Sequence, residues 1–210
     1  MSPLEILDYA GVAVFAATGA LAASRKQLDI IGFLFLAAVT GLGGGTVRDV
    51  VLGRSVFWVM NPTYILVCVG VGILVYFTAH VIESRYRLLI WLDAIGLGAY
   101  CVLGAAKGLA ATGSPTVAII MGMLTASFGG ILRDVLASEP SVLLRPEIYL
   151  TAALAGAAVF TAMHAFGPPL FVSAGVGTVA GFAVRGGALL YGWTLPRYKP
   201  RPGRHPDDVL

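Results

Sequence analysis

Long apolar runs separated by short polar connections dominate this sequence. Each run holds about 20 mainly apolar residues, the length that an α-helix needs to cross a membrane. The runs do not alternate apolar and polar residues as barrel strands would. They cover, in chain order, Asp8–Ser24, Ile30–Leu52, Pro62–Val81, Leu88–Leu109, Pro115–Ala137, Glu147–Phe166 and Leu170–Tyr191. The pattern predicts an all-α polytopic membrane protein with seven transmembrane helices.

The composition supports this fold class. Of the 210 residues, 58% are hydrophobic and 12% are charged, whereas an ordinary soluble domain has about 25% charged residues. So few charged side chains cannot cover the surface of a water-soluble monomer. The 27 glycines indicate close helix packing or interrupted helices, because the chain is apolar and has no collagen period.

The basic residues predict an orientation. Most of the net charge of +3 lies in the Pro-rich tail, so it does not indicate nucleic-acid binding. If seven helices alternate, the basic residues on one side are Arg25, Lys26, Arg85, Arg87, Arg145, Arg197, Lys199, Arg201 and Arg204. Arg54 and Lys107 lie on the other side. Because basic residues collect on the cytoplasmic side, we expect the N-terminus outside and the C-terminus in the cytoplasm.

The sequence repeats itself at an offset of 85 residues. Gly-Gly-Thr-Val-Arg-Asp-Val at 44–50 matches Gly-Gly-Ile-Leu-Arg-Asp-Val at 129–135, and Asp8 matches Asp93. Each copy contains three predicted helices, so the second copy enters the membrane from the opposite face. The predicted units are a first repeat at 1–84, an inverted repeat at 85–168, a seventh helix at 169–193 and a basic tail at 194–210. Inverted repeats commonly place a pathway near the midplane, where interrupted helices meet.

The second and fifth predicted helices carry the candidate pathway. Thr40, Gly44 and Arg48 are four residues apart and share one helix face. Glycines in a broken helix expose carbonyl oxygens that, with nearby hydroxyls, can hold a dehydrated cation. The candidates are Thr40, Gly43, Gly44, Gly45, Thr125, Ser127, Gly129 and Gly130. The alternative is that the glycines only permit close helix crossing and that the threonines bond back to their own helices.

Charged residues near the helix ends are candidates for gating or ion pairing. They are Asp8, Arg48, Asp49, Asp93, Lys107, Arg133 and Asp134. Charges deep in a bilayer cost roughly 2.5–3.5 kcal/mol on insertion scales, so we expect two equivalent ion pairs, Asp8–Arg48 and Asp93–Arg133. In the alternative, each Asp caps a helix and each Arg reaches the headgroups. Lys107 has Ala22 as its counterpart and is either a gate or a headgroup contact.

The sequence predicts no enzyme, cofactor or metal site. The three histidines have no ligand spacing, and the two cysteines lie in apolar runs, as small core residues do. The glycine-rich segment 41–46 lacks the lysine of a phosphate-binding loop.

Three plus three plus one helices, with Gly-Gly-Gly-x-x-Arg-Asp in the second and Gly-Gly-x-x-Arg-Asp in the fifth, resemble the prokaryotic trimeric intracellular cation channels. The resemblance extends from Asp8 to about Tyr191. It implies a homotrimer in the bacterial inner membrane, with contacts to membrane and structural lipids. Each subunit would hold a pore flanked by kinked second and fifth helices. The pore would conduct potassium or sodium and prefer potassium, and both glycine-Arg-Asp motifs would lie in or beside it.

Two features bear on this resemblance. Phe128 stands where the first motif has Gly43, so the two half-pathways differ. No lysine cluster matches the phosphoinositide site of animal members. The same bacterial family includes proteins assigned to glycine transport, so the alternative function is an alternating-access carrier of glycine or another small amino acid. A membrane scaffold would not explain the symmetric glycines.

Overall fold

The computed structural model describes residues 3–141, 147–196 and 203, and almost all of this part of the chain is helical. The helices are α1 Pro3–Arg25, α2 Ile30–Val51, α3 Phe57–Met60, α4 Thr63–Thr78, α5 Arg85–Thr112, α6 Pro115–Leu136, α7 Leu150–Ala165 and α8 Leu170–Tyr191. A 3-10 turn, Ala79–Val81, continues α4. The all-α prediction is therefore confirmed.

Six helices of the described ranges are long and apolar enough to cross a membrane: α1, α2, α4 with its 3-10 turn, α5, α6 and α8. The 16 residues of α7 span about 24 Å, less than the roughly 30 Å of a hydrocarbon core. The chain is thus a multi-pass membrane protein, and a seventh crossing stays a prediction. Arg145 and the basic residues of the tail lie outside the described residues.

Helices α1 and α5 pack through glycines and run in opposite directions. Gly11 lies against the ring of Tyr100, and a Cβ on Gly96 would lie 3.0 Å from the ring of Phe15. As α1 advances from Gly11 to Phe15, its contacts in α5 move back from Tyr100 to Gly96. Adding the offset of 85 residues turns Gly11 and Phe15 into Gly96 and Tyr100, so each of the two contacts is the repeat equivalent of the other.

Helices α2 and α6 cross in the same antiparallel way. A Cβ on Gly44 would meet the carbonyl oxygen of Thr125, and a Cβ on Gly129 would meet the carbonyl oxygen of Thr40. These contacts also exchange under the offset. The backbones approach so closely that neither position has room for a side chain.

The predicted helix breaks are not observed. Helix α2 continues through Gly43–Gly45 and α6 continues through Gly129–Gly130. The hydroxyls of Thr40 and Thr125 donate to the carbonyls of Leu36 and Met121 in their own helices, each at 2.6 Å. The glycines therefore serve the close crossing, and the helical backbone keeps its own bonds.

The ends of α2 and α6 are also equivalent. Asp29 caps the start of α2 by accepting a hydrogen bond from the amide of Gly32 at 2.8 Å. Ser114, 85 residues later, caps α6 in the same way. Gly53 and Ser138, again 85 residues apart, follow the two helices with φ of 63° and 50°.

Helix α8 has no counterpart in the repeat and packs on α5 and α7. Its contact with α7 is made by glycine against glycine: a Cβ on Gly177 would lie 3.0 Å from the carbonyl oxygen of Gly156. Helix α5 is thus in contact with α1, α6, α7 and α8.

Candidate functional site

Four buried polar residues from α1, α5 and α6 meet near the C-terminal end of α6. We call them the Arg133 cluster: Thr18, Asp93, Arg133 and Asp134. Nη1 of Arg133 donates to Oδ1 of Asp93 at 2.7 Å and to Oγ1 of Thr18 at 3.0 Å. Its Nε and Nη2 donate to Oδ1 of Asp134 at 3.0 and 2.9 Å. None of the four is more than 4% exposed. The predicted contact between Asp93 and Arg133 is present.

The corresponding Arg48 cluster consists of Asp8, Arg48, Asp49 and Lys107. Nε of Arg48 donates to Oδ1 of Asp49 at 2.8 Å, and Nη2 lies 2.7 Å from the same oxygen but off the hydrogen-bond direction. The other carboxylate oxygen of Asp49 accepts the amide of Phe57 at 2.9 Å. The guanidinium of Arg48 is 1% exposed.

The predicted Asp8–Arg48 pair is replaced by a different one. Nζ of Lys107 lies 2.6 Å from Oδ2 of Asp8, so the lysine takes the carboxylate that the arginine was expected to bind. Leu103 also stands where the other cluster has Thr18. Consequently, Nη1 of Arg48 has no hydrogen-bond partner within the described part of the chain. The contact with Asp8 also means that Lys107 does not only reach the headgroups, as the alternative prediction had it.

Aromatic side chains enclose the Arg48 cluster. The hydroxyls of Tyr64 and Tyr100 lie 3.4 and 3.5 Å from the carboxylate oxygens of Asp8. The ring of Phe57 lies 5.6 Å from the guanidinium carbon of Arg48 and 5.7 Å from Nζ of Lys107. Such cation–π contacts favour a desolvated cation. No sequence pattern indicates Phe57, because it lies in α3, a helix of only four residues between the long apolar runs.

Arg185 of α8 supports the Arg133 cluster from outside the repeat. Its Nη2 pairs with Oε2 of Glu147 at 2.8 Å, and its Nη1 donates to the carbonyl of Ile148 at 3.1 Å. Its guanidinium lies over the ring of Tyr149, whose hydroxyl is 2.9 Å from the place of a Cβ on Gly130. Arg185 is not among the candidates predicted from the sequence, although a charge inside a glycine-rich apolar run is a usable signal.

The remaining pathway candidates line the contact between α2 and α6. Gly44 and Gly129 lie at the crossing, one helical turn from Arg48 and Arg133. Gly43 faces Leu132, and Gly45 faces the ring of Phe57. The hydroxyl of Ser127 bonds within α6 at 2.7 Å, as those of the two threonines do in their helices. Among the described residues, no three His, Cys, Asp or Glu side chains come together as a metal ion requires.

The chain is similar to known membrane proteins over almost its whole length. The family described as glycine transporter matches residues 5–80 and 90–165. A TRIC trimeric intracellular cation channel orthologue from Rhodobacter sphaeroides is 52% identical, with a TM-score of 0.89, covering 92% of this chain and 100% of that one. A second TRIC cation channel is 28% identical, with a TM-score of 0.85 and coverage of 96% and 100%. The inner membrane protein YadS of Escherichia coli K12 is 39% identical over 91% of this chain and 94% of its own.

Proposed function

This chain belongs to the family described as glycine transporter and shares the fold of the TRIC cation channels, and we propose that it is a potassium-preferring monovalent cation channel. Its pore would run within each subunit, along the crossing of α2 and α6. The observation that carries the proposal is the crossing of α2 and α6, which joins two buried, charged clusters. The chain is also 52% identical to a TRIC orthologue. Charges buried among apolar helices are characteristic of ion pathways.

We propose further that the two halves are inverted copies. The same family matches the chain twice, at residues 5–80 and 90–165, which is the 85-residue offset again. The antiparallel contacts of α1 with α5 and of α2 with α6 support the inversion. With the N-terminus outside, the Arg48 cluster faces outward and the Arg133 cluster faces the cytoplasm.

In this arrangement the pathway is closed. Gly44 and Gly129 hold the two backbones together at the centre. The Lys107–Asp8 pair, at 2.6 Å, closes the outer half with a positive charge. Opening would separate the helices at the glycines and release Lys107 from Asp8, after which Asp8 would be available to a permeant cation or to Arg48.

We also propose that the protein assembles as a homotrimer, because the similar solved proteins are described as trimeric channels. A purified complex with three times the 21.8 kDa chain mass, measured by light scattering after subtraction of the detergent, would support this. A mass of one chain would contradict it.

The proposed function is tested by two assays run on the same preparation. Reconstituted into a planar bilayer under a potassium gradient, the protein should give unitary currents that reverse towards the potassium equilibrium potential. With sodium on the opposite side, the reversal potential should still favour potassium. Saturable uptake of labelled glycine into liposomes, without unitary current, would contradict the channel and establish the alternating-access carrier.

A further inference from the structure

A small cavity lies between the Arg133 cluster and the protein surface. Its volume is about 20 Å³, and six charged residues are among those that line it. Four of the six are buried, namely Asp93, Arg133, Asp134 and Arg185. The other two, Arg25 and Glu139, are partly exposed. Arg25 and Glu139 are therefore the charged residues that separate the buried cluster from solvent.

Arg25 and Glu139 are also in contact with each other. Nη2 of Arg25 lies 3.3 Å from Oε1 of Glu139, and Nζ of Lys26 lies 3.3 Å from the same oxygen. The guanidinium carbon of Arg25 lies 4.7 Å from the ring centre of Tyr86, which is a cation–π contact. Arg25 ends α1, Tyr86 lies at the start of α5, and Glu139 follows α6. These contacts thus join the three helices that form the Arg133 cluster.

The other half of the molecule has no equivalent of this connection. The residues that correspond to Arg25 and Glu139 under the offset of 85 are Ala110 and Arg54. A methyl group and a guanidinium cannot form an ion pair. In that half, the closing ion pair is the one that Lys107 makes inside the cluster itself. The contacts of Arg25 are therefore particular to one end of the molecule.

We propose that Arg25, held by Glu139 and Tyr86, is a releasable lid over the Arg133 cluster. The side chains of Arg25 and Glu139 are 29% and 17% exposed, and exposed ion pairs are weak and screened by salt, whereas buried pairs are screened much less. The contacts of the lid should therefore break before those of the cluster do. Its release lets solvent reach the cavity and Asp93.

The lid gives the two ends of the molecule different closures. One end is closed inside its cluster by Lys107, and the other is closed at the surface by contacts that respond to the salt concentration. That the lid covers the cytoplasmic mouth of an ion pathway rests on the proposed function, whereas the lid itself does not.

The test measures the reactivity of a cysteine beneath the lid. Ala22 lines the cavity and is 3% exposed, so Ala22→Cys places a thiol there. The purified full chain is treated with methyl methanethiosulfonate, which is small and uncharged, and the intact mass reports the modified fraction. The wild type, whose Cys68 and Cys101 are buried, gives the background rate.

Two substitutions are added to the Ala22→Cys chain. Glu139→Gln removes the charge that holds Arg25 and Lys26 with almost no change of shape. Glu83→Gln is the matched control, because Glu83 is exposed and does not line the cavity. If Ala22→Cys does not fold, Ile90→Cys reports on the same cavity.

Glu139→Gln should speed labelling about three- to tenfold, as the loss of two weak ion pairs implies, whereas Glu83→Gln should leave the rate unchanged. Raising the ionic strength from about 0.01 M to about 1 M shortens the Debye length from about 30 Å to about 3 Å. The higher salt concentration should speed labelling in the parent and the control. It should have little effect in Glu139→Gln, which has already lost the ion pairs.

Two results would overturn the lid. They are an unchanged labelling rate in Glu139→Gln and an equal response to salt in the parent and in Glu139→Gln. Labelling requires no ion flow, so it is independent of the channel assay. The expected labelling without unitary current would contradict the proposed channel alone, and unitary current with either of the two results would contradict the lid alone.

Discussion

At the scale of single residues, the two equivalent arginines have different surroundings. Arg133 is hydrogen-bonded to two carboxylates and a hydroxyl, whereas Arg48 is hydrogen-bonded to one carboxylate and leaves Nη1 without a partner in the described part of the chain. Breaking a well-bonded buried pair leaves charges without compensation. In the proposed pathway, the half that contains Arg133 would therefore be the more firmly closed of the two.

This difference predicts unequal effects of the same substitution. Arg133→Met removes the guanidinium that bonds Asp93, Asp134 and Thr18 and should cost about 3–5 kcal/mol. Arg48→Met removes a guanidinium that bonds Asp49 alone and should cost clearly less. Thermal unfolding in detergent measures both variants, and equal losses would contradict the asymmetry.

A side chain at Gly44 is expected to disturb the crossing of α2 and α6. A Cβ on Gly44 would meet the carbonyl of Thr125, whereas a Cβ on Gly70 of α4 has no atom within 4 Å. Gly44→Leu should therefore lower the melting temperature, because overpacking costs about 1–3 kcal/mol or more. It should also sharply reduce unitary current, because the leucine side chain occupies the crossing along which the proposed pore runs. Gly70→Leu is the matched control and should conduct normally. Similar behaviour of the two variants would count against the crossing as the pore.

At the scale of elements, the positions of most helices could be predicted from the sequence, whereas the contacts between the helices could not. Long apolar runs determine where helices such as α2 and α6 occur, since burial in lipid needs only length and hydropathy. Whether Gly44 breaks a helix or lets a neighbour approach depends on what lies opposite, and no local pattern encodes the carbonyl of Thr125. The ion pair of Lys107 could not be predicted for the same reason, because its partner Asp8 is 99 residues away in the sequence.

The connection between α8 and the start of α7 is expected to depend on Arg185. Arg185 ties α8 to Glu147 and Ile148 at the start of α7, so Arg185→Met should loosen this connection by about 1–3 kcal/mol. Hydrogen exchange should rise at the amides around Tyr149. The exposed Arg87 provides the control, since Arg87→Met should leave those amides protected. Unchanged exchange in Arg185→Met would show that Arg185 does not hold the start of α7 in place.

At the scale of the whole molecule, the repeat predicts that equivalent helix starts lie on opposite faces of the membrane. Gln27→Cys before α2 and Thr116→Cys at the start of α6 are exposed. The native Cys68 and Cys101 are buried, so the wild type should stay unlabelled by an impermeant maleimide. Gln27→Cys should react only from the cytoplasm and Thr116→Cys only from outside. Labelling of both from one face would contradict the inversion.

The close crossing has a consequence for the origin of the molecule. Gly44 meets Thr125 and Gly129 meets Thr40, so each half presents the same surface to the other, which is the defining property of a two-fold homodimer contact. A gene half as long would already encode both sides of that contact. Two such chains, inserted in opposite orientations, can associate as the fused halves do, and duplication followed by fusion would then free Lys107 and Ala22 to diverge.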